Sequence, residues 1–320
     1  MKTVLVAGAG GFIGGYLVRA LLDRKDCYVR AVSSRPVDKW LQVHECLNEG
    51  GIDLRKKEAC DYVVSGVDEV YNLAAKVGGI GYIENHKVDC ALSSLINTHL
   101  LMAAQHFGVK KYFYASSACV YPNREGPICE NHSEPAQPSE GYGWEKMFSE
   151  RLCQYYWEEF GLKTQVARYF TTYGPGDSVK GAEGKHHVPS ALCEKVALAK
   201  LHGLDEIEIW GDGHQRRNFL FVKDAAEGSI RLMDQEVHNG FPVNLGGTEV
   251  VSIGQLLGII EEIAGTNLKR RYKANAAMGV RTRSSDNTLC KYLLGWEPST
   301  PLFEGMKLTY KSIYAKLLAA

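Results

Sequence analysis

The sequence has little that would direct it to a metal, a membrane or nucleic acid. Lys plus Arg and Asp plus Glu are equal at 37 each in 320 residues, so no field of one sign exists to attract nucleic acid. The nine cysteines contain no CxxC pair and predict neither a disulfide framework nor a zinc site. No apolar run approaches membrane-spanning length, and residues 3–9 are too short for a signal peptide. We therefore expect a cytoplasmic protein with no metal and no nucleic-acid or membrane partner.

The first motif is a glycine loop near the N-terminus. Residues 3–7 form a continuous apolar run, as expected of a strand buried on both faces of a parallel sheet. Gly8, Gly11 and Gly14 follow in GxxGxxG spacing and open a helical pattern that begins with Phe12 and Ile13. Glycine permits a tight turn and a close approach of the backbone to a pyrophosphate at the helix N-terminus. This strand–loop–helix context predicts dinucleotide binding by these five residues.

The ends of the next two predicted strands are expected to contact the adenosine part of such a cofactor. The second strand, residues 28–32, is followed by Ser-Ser-Arg rather than by an acid that would bind a ribose 2′-hydroxyl. Ser33 and Arg35 therefore favour NADP slightly over NAD, and a solvated loop residue is the alternative for Arg35. Residues 51–55 are predicted to lie at the end of a third strand. Asp53 would accept a hydrogen bond from the adenine amino group, and Leu54 is a further predicted cofactor contact. A plain loop aspartate is the alternative.

A fourth predicted strand, residues 67–73, leads into a second set of small residues. Ala74 and Ala75 let the backbone run along the cofactor, and Gly79 lies in a glycine loop that could approach a sugar closely. Residues 88–108 then show helical spacing of apolar side chains. With the helix that contains Tyr142 they could bury the face of a homodimer, but core packing within one subunit explains the spacing equally well.

The candidate catalytic group lies after the strand predicted at residues 111–115. Ser117 and Cys119 stand at its carboxyl end, where α/β sheets bind ligands. Tyr142 and Lys146 are four residues apart, which places the phenol and the ammonium on one face of a helix, where the cation can stabilise a phenolate. A serine, a tyrosine of lowered pKa and a lysine form a proton-transfer group for alcohol–ketone chemistry beside a nicotinamide. Solvated side chains are the alternative for an isolated YxxxK pair.

The C-terminal half changes character. We predict a strand at 165–170, a hairpin turn at 207–213 and returns to the sheet at 219–222 and 242–245, followed by a mainly helical region. Arginines at 216–217 and 281–283 could converge on a diphosphate, or form salt bridges on a polar face. The expected division is a dinucleotide-binding domain, residues 1–172 and 218–247, and a substrate domain, residues 173–217 and 248–320.

Together these motifs resemble the extended short-chain dehydrogenase/reductase family over essentially the whole chain. The stretches 116–122, 210–217 and 279–287 are similar to the signatures of GDP-mannose 3,5-epimerases within that family. The loop at 74–80 looks more like that of GDP-L-fucose synthases. The resemblance implies an α/β fold, a Rossmann-type doubly wound parallel sheet, with a smaller mixed, mainly helical C-terminal substrate domain. It also implies a bound NAD(P) and a GDP-sugar substrate.

The resemblance further implies residue roles. Ser117, Tyr142 and Lys146 would act at C4 of the sugar, and Cys119 would exchange protons at C3 and C5 with Lys185 as its partner. Counting from the following proline selects His187 or His186 instead. The implied substrate-binding residues are Gly79, Ser117, Cys119, Thr171, Lys195, Gln215, Arg217 and Arg283. Thr171 stands where these families carry an Asn, and Ser33 where the epimerases carry an Asp.

These inferences predict a nucleotide-sugar 3,5-epimerase that acts on GDP-mannose or a related GDP-sugar through a transient C4 ketone. One alternative is a 3,5-epimerase/4-reductase of a GDP-4-keto-6-deoxyhexose or a heptose, which consumes NADPH. Another is a non-catalytic NAD(P)-binding sensor, since a fold alone does not establish a function.

Overall fold

The computed structural model describes residues 1–138, 140–177, 187–237, 239–273 and 280–319, and within these ranges strands and helices alternate. Its strands, in chain order, are β1 (Lys2–Ala7), β2 (Cys27–Val32), β3 (Leu47–Glu49), β4 (Glu69–Asn72), β5 (Lys111–Ser117), β6 (Pro127–Ile128), β7 (Lys163–Tyr169), β8 (Thr172–Tyr173), β9 (Glu206–Trp210), β10 (Arg216–Asn218), β11 (Leu220–Phe221), β12 (Pro242–Leu245), β13 (Val250–Ser252), β14 (Lys269–Lys273) and β15 (Thr282–Ser285). The α-helices are α1 (Phe12–Arg24), α2 (Lys57–Val64), α3 (Ile80–Asn85), α4 (Lys87–Ala91), α5 (Ser93–His106), α6 (Gly141–Phe160), α7 (Val188–His202), α8 (Val222–Asp234), α9 (Ile253–Ala264), α10 (Thr288–Leu294) and α11 (Leu302–Leu318). Of the helices described, none combines the length and the apolar character that crossing a bilayer requires.

Seven of these strands form one parallel sheet, and its order places the glycine loop at the centre. The order is β12-β7-β5-β4-β1-β2-β3, and every pairing is parallel. Val4, Leu5 and Val6 of β1 are fully buried, as the apolar run predicts for a strand covered on both faces. The winding reverses between β1 and β4, so a crevice opens there at the carboxyl edge. The doubly wound, Rossmann-type sheet is confirmed.

Buried apolar side chains form a core on each face of this sheet. One joins α1 and α8 to the sheet, and the other joins α2 and α5 to it. A third core lies in the C-terminal half, where α7, α9 and α11 pack around β9. The division into residues 1–172 and 218–247 and residues 173–217 and 248–320 stays a proposal.

Three local predictions are wrong. The third strand ends at Glu49, before residues 51–55, because Gly51 leaves the extended conformation with a φ of 77°. Residues 207–213 do not turn a hairpin, since β9 pairs in parallel with β14 whereas the next strand, β10, pairs with β13 and β15. Residues 219–222 do not return to the main sheet either, because β11 pairs with β8 in a separate ribbon. The return at 242–245 is confirmed as β12.

Candidate active site

The loop between β1 and α1 is packed so tightly that glycine is required at two of its positions. Gly8 has a φ of 90°, and a Cβ there would lie 2.8 Å from the carbonyl carbon of Leu73. A Cβ on Gly14 would collide with the carbonyl oxygen of Gly8. Gly11 caps α1 without a side-chain hydrogen bond, which leaves the positive end of the helix dipole to the loop. This cradle fits a pyrophosphate.

Ser33 and Arg35 lie beside this loop. The Ser33 hydroxyl is buried and accepts a hydrogen bond from the backbone N–H of Arg35 at 3.3 Å. The exposed Arg35 guanidinium donates to the Gly10 carbonyl at 3.4 Å, and Trp40 Nε1 donates to the Arg35 carbonyl at 2.9 Å. The structure therefore holds a cation next to the glycine loop.

Asp53 and Leu54 lie in the turn after β3. The Asp53 carboxylate forms an ion pair with Arg55 at 2.7 Å, and that hydrogen-bonded partner lowers the pKa of Asp53 to about 2. Leu54 is buried in the core under the sheet. Phe12 and Ile13 form the first turn of α1, half-buried beside the loop. The contacts of these residues with a cofactor stay predictions.

Ala74, Ala75 and Gly79 line the path from β4 toward the catalytic group. A Cβ on Gly8 would lie 2.9 Å from the Ala74 nitrogen, so this segment forms the wall opposite the glycine loop. Gly79 is buried and precedes α3, whose side chains pack against Tyr142. The segment after β4 thus connects the two predicted parts of the site.

The structure brings Ser117, Cys119, Tyr142 and Lys146 together. β5 ends at Ser117, whose hydroxyl accepts a hydrogen bond from the Cys119 backbone N–H at 3.2 Å. Cys119 packs in one apolar cluster with Tyr142, near the start of α6. One helical turn later, the Lys146 ammonium lies 5.5 Å from the centre of the Tyr142 ring.

A glycine that the sequence analysis missed makes this approach possible. A Cβ on Gly143 would collide with the Cys119 carbonyl oxygen and lie 2.8 Å from Cβ of Pro138. Glycine within a helix costs about 1 kcal/mol relative to alanine, so its presence directly after Tyr142 was the available signal of close packing.

Lys146 is held by groups that the sequence analysis also missed. Its Nζ donates to the hydroxyl of Tyr114 at 3.0 Å and to the carbonyl of Ala115 at 3.2 Å. The carboxylate of Glu145 lies 3.6 Å away. Both Lys146 and Glu145 are at least 95% buried. The Lys146 ammonium therefore faces the ring of Tyr142, while its hydrogen bonds go to Tyr114 and Ala115.

The electrostatics of Tyr142 differ from the expectation of a lowered pKa, and the pKa of Cys119 is raised as well. Burial raises the pKa of the Tyr142 phenol well above its usual value, and the charges of Cys119 and Glu145 add to that effect. Burial likewise raises the pKa of the Cys119 thiol, while its hydrogen bond with Ser117 and the charge of Arg283 act in the opposite direction. Desolvation outweighs the opposing effects in both cases: the hydrogen bond with Ser117 at Tyr142, and the same residue together with Arg283 and Lys146 at Cys119.

Two arginines from separate strands meet beside Cys119. The parallel pairing of β10 with β15 aligns Arg217 with Arg283. Arg283 donates to the carbonyls of Ala118 at 2.7 Å and Tyr121 at 3.1 Å. Burial, together with the charge of Arg283, lowers the pKa of Arg217 to about 10, and burial lowers that of Arg283. Two half-buried cations that repel one another form a site suited to an anion.

The other predicted substrate-binding residues lie in different local environments. Gln215 is 95% buried, and its Oε1 has no hydrogen-bond partner among the described residues. Lys195 lies on α7, where its ammonium donates to the Glu208 carbonyl at 2.7 Å. Thr171 is half-buried, and its carbonyl accepts from the N–H of Leu220 at 2.9 Å. Their contacts with a substrate stay predictions.

The predicted partner of Cys119 is described only in part. Lys185 and His186 lie outside the described residues. His187 is the N-cap of α7, is half-buried and accepts a hydrogen bond from the Ala191 N–H at 3.0 Å through its carbonyl. The choice among these three residues therefore stays open.

Comparison with known proteins settles the family. Residues 4–246 match the NAD dependent epimerase/dehydratase family. The chain belongs to this family. It is 37% identical over 96% of its length to GDP-mannose 3,5-epimerase 1 of Oryza sativa subsp. japonica, of which the match covers 80%. It is 28% identical to GDP-L-fucose synthase 1 of Arabidopsis thaliana, covering 96% of this chain and 91% of the relative.

A solved structure in this epimerase/dehydratase group has the same fold. UDP-glucose 4-epimerase of Thermotoga maritima, solved with UDP-glucose, superimposes with a TM-score of 0.86 at 25% identity, covering 98% of this chain and 99% of the other. Both parts of the predicted resemblance, to the extended short-chain dehydrogenase/reductase family and to its GDP-mannose 3,5-epimerases, are confirmed. The chain is an enzyme of the nucleotide-sugar epimerase type.

Proposed function

We propose that the protein inverts C3 and C5 of GDP-mannose or a related GDP-sugar, by way of a transient ketone at C4. The observation that carries this proposal is the position of Cys119. Its thiol packs beside Tyr142 and within the field of Arg283, whereas inversion at C4 alone needs only the serine, the tyrosine and the lysine. A second proton-transfer group at this position is explained if C3 and C5, the carbons next to C4, also exchange protons.

The cofactor of this reaction is NAD(P). The collisions that a Cβ would cause at Gly8 and Gly14, and the uncapped N-terminus of α1, support a pyrophosphate in the glycine loop. When bound, NAD(P) supplies hydride exchange at C4. The exposed Arg35 beside the loop favours NADP slightly, because its guanidinium can donate hydrogen bonds to a 2′-phosphate.

The chain's own residues handle the protons. Tyr142 removes the proton of the C4 hydroxyl, Ser117 orients that hydroxyl, and Lys146 holds a positive charge over the Tyr142 ring. Because burial raises the Tyr142 pKa, its basic form becomes available as pH rises, so the rate of C4 oxidation should increase toward alkaline pH.

A ketone at C4 makes the hydrogens on C3 and C5 acidic, so inversion needs one group to remove a proton and another to return one on the opposite face. Cys119 provides one of these two groups. Lys185, His187 or His186, which precede or cap α7, provides the other. Burial raises the pKa of the Cys119 thiol, so the thiol that stays protonated at neutral pH is suited to return the proton.

The nucleotide diphosphate is held by Arg217 and Arg283. Their convergence and their lowered pKa values favour an anion between them. Gly79, Thr171, Lys195 and Gln215 are the further substrate contacts of the proposal. The Oε1 of Gln215, which has no partner in the part of the chain that the structure describes, offers an acceptor to a ligand donor. A GDP-sugar is preferred to other nucleotide sugars because of the likeness to GDP-mannose 3,5-epimerases.

The proposal also includes a homodimer in the cytoplasm. Large apolar side chains stay exposed along α4 and α6, among them Val88 at 72%, Trp144 at 51% and Phe148 at 53%. Such a face supports association with a second copy. All nine cysteines are free thiols, which supports a reducing compartment.

The deciding experiment is incubation with GDP-mannose in D2O without added cofactor, followed by NMR and mass spectrometry. We expect deuterium at C3 and C5 together with new epimers, because each inversion exchanges a carbon-bound hydrogen with solvent.

Cys119→Ser should abolish the exchange while the protein keeps its cofactor. Tyr142→Phe should lose C4 oxidation, so retained turnover of GDP-mannose in that variant would contradict the proposal.

The rival activity, epimerisation and reduction of a GDP-4-keto-6-deoxysugar or heptose, is favoured by Arg35 and by the loop at 74–80. It predicts a different result. Deuterium would enter the 4-keto sugar, NADPH would be consumed in proportion to product, and GDP-mannose would stay unlabelled. A non-catalytic sensor would bind nicotinamide and turn over none of these sugars.

A further inference from the structure

A buried carboxylate stands next to the proposed catalytic lysine. Glu145 is 5% exposed and lies between Tyr142 and Lys146 in the chain. Its Oε1 accepts hydrogen bonds from the Tyr114 hydroxyl and the Ser149 hydroxyl, each at 3.0 Å. Its Oε2 lies 3.6 Å from the Lys146 ammonium and has no hydrogen-bond partner among the described residues.

These contacts form a closed arrangement around the ammonium. Lys146 donates to the Tyr114 hydroxyl at 3.0 Å, and the same hydroxyl donates onward to Glu145. Tyr114 is 1% exposed and Ser149 is fully buried, so water does not screen the pair. A buried charge of this kind is costly unless an opposite charge faces it, and each member of the pair meets that need for the other.

We propose that Glu145 is a positioning residue of the catalytic group: it is the fixed counter-ion of Lys146 and thereby controls how readily Tyr142 releases its phenolic proton. A lone ammonium 5.5 Å from the Tyr142 ring would favour the phenolate strongly. With the Glu145 carboxylate beside it, Tyr142 experiences an ion pair whose two charges largely cancel. This inference rests on the proposed role of Tyr142 and Lys146.

Other groups around this arrangement contribute to the same local field. Packed against it are Tyr82 from α3, Cys90 from α4, Asn97 from α5, Tyr114 from β5, Cys119 from the turn after β5, Arg283 from β15 and Cys153 from α6 itself. Cys119 and Cys90 act on Tyr142 in the same direction as Glu145. Glu145 is the carboxylate of this set in direct contact with Lys146, so its neutralisation isolates the counter-ion effect.

The test replaces Glu145 by its neutral isostere, Glu145→Gln, which keeps an oxygen that can accept from Tyr114 and Ser149. The ionisation of Tyr142 is followed by phenolate absorbance as pH is raised, with the titration of Tyr142→Phe subtracted. We expect the Tyr142 midpoint to move down by about one pH unit, because the cation then acts without its counter-ion. An unchanged or higher midpoint overturns the proposal.

Two further variants separate positioning from folding. Glu159→Gln removes an exposed carboxylate from the same helix and should leave the midpoint in place. Glu145→Asp keeps the charge, so its midpoint should stay closer to that of the native protein than the midpoint of Glu145→Gln, even if its thermal stability falls. Equal shifts in Glu145→Asp and Glu145→Gln would show a packing effect and overturn the proposal.

The same variants distinguish failure of this inference from failure of the proposed function. The phenolate titration needs no substrate, so it gives a result even if GDP-mannose is not turned over. If GDP-mannose is turned over, the rising limb of kcat against pH should move down by the same amount in Glu145→Gln, while KM changes less than threefold. A fall in kcat without movement of that limb contradicts the inference but leaves the epimerase proposal intact.

Discussion

The two halves of the site are built by different means. Around the glycine loop, the backbone forms the surface, and glycines at positions 8 and 14 are required because any side chain would meet main-chain atoms. Around Cys119, side chains form the surface, and Arg217 and Arg283 reach it from two strands of the C-terminal half. We infer that the first half tolerates almost no change of shape, while the second half, apart from the close contact at Gly143, is more sensitive to changes of charge than to changes of shape.

The difference follows from what each half is proposed to bind. A pyrophosphate is recognised by backbone N–H groups and by the dipole of a helix. Every protein chain has such N–H groups, but a tight turn is needed to expose them to the ligand. A particular sugar nucleotide needs particular side chains, which can come from any part of the chain. The comparison can be tested by changing shape in the first half and charge in the second.

The largest effect is expected from Gly14→Ala. The new methyl group would collide with the Gly8 carbonyl, so β1 or α1 has to shift, and we expect a loss of about 3 kcal/mol in the free energy of unfolding together with loss of bound cofactor. Chemical denaturation and nucleotide analysis of the purified protein measure the two effects.

The adjacent residue supplies the matched control. A Cβ on Gly15 would lie 3.2 Å from the side chain of Gln42, which can move, and alanine has the higher helix propensity. Gly15→Ala should therefore change the stability by no more than about 1 kcal/mol and keep the cofactor. Equal losses in the two variants would show that the glycine loop is not shaped by contact with Gly8.

The same contrast explains how much could be predicted from the sequence. β1, the glycine loop, the start of α1 and the Tyr142–Lys146 pair are local patterns, so a few adjacent residues contain the whole signal, and the structure has them as predicted. The prediction that residues 51–55 end the third strand is wrong, because the strand ends at Glu49 and Gly51 leaves the extended conformation.

Other features depend on packing between distant segments. The burial of Glu145 is set by β5 and α5, and nothing in the spacing of YxxxK indicates whether the intervening residue faces solvent. The raised pKa of Cys119 follows from the same kind of packing, since its burial outweighs the charge of Arg283. Arginines at 217 and 283 were named, but their alignment required the pairing of β10 with β15.

A smaller effect is expected from Arg283→Gln, which changes charge with little change of shape. We expect kcat/KM for the GDP-sugar to fall about 100-fold, because a charge-assisted contact to the diphosphate is lost. The Cys119 thiol should also react more slowly with iodoacetamide at fixed pH, since the Arg283 charge lowers its pKa and removal of that charge raises it. The folded protein should keep its cofactor.

Arg281→Gln is the control for this variant. Arg281 is exposed and forms an ion pair with Asp212 at 2.8 Å, just before β15. Exposed pairs contribute little, so kcat/KM should change less than about threefold. If Arg281→Gln and Arg283→Gln lose activity equally, the loss comes from general charge on this face and the proposed diphosphate site is wrong.

The smallest effect concerns Arg35, an exposed side chain beside the backbone half of the site. Arg35 is exposed and held at the glycine loop by its contact with the Gly10 carbonyl, so it can discriminate between cofactors without shaping the cradle. Arg35→Gln should lower the affinity for NADP about tenfold and leave that for NAD nearly unchanged, because only NADP carries the 2′-phosphate. Fluorescence titration of the two cofactors measures this ratio, with Lys39→Gln, another exposed cation of the same loop, as the control. If both affinities stay constant in Arg35→Gln, cofactor choice lies in the backbone after all, and the two halves of the site differ even more sharply than their contacts indicate.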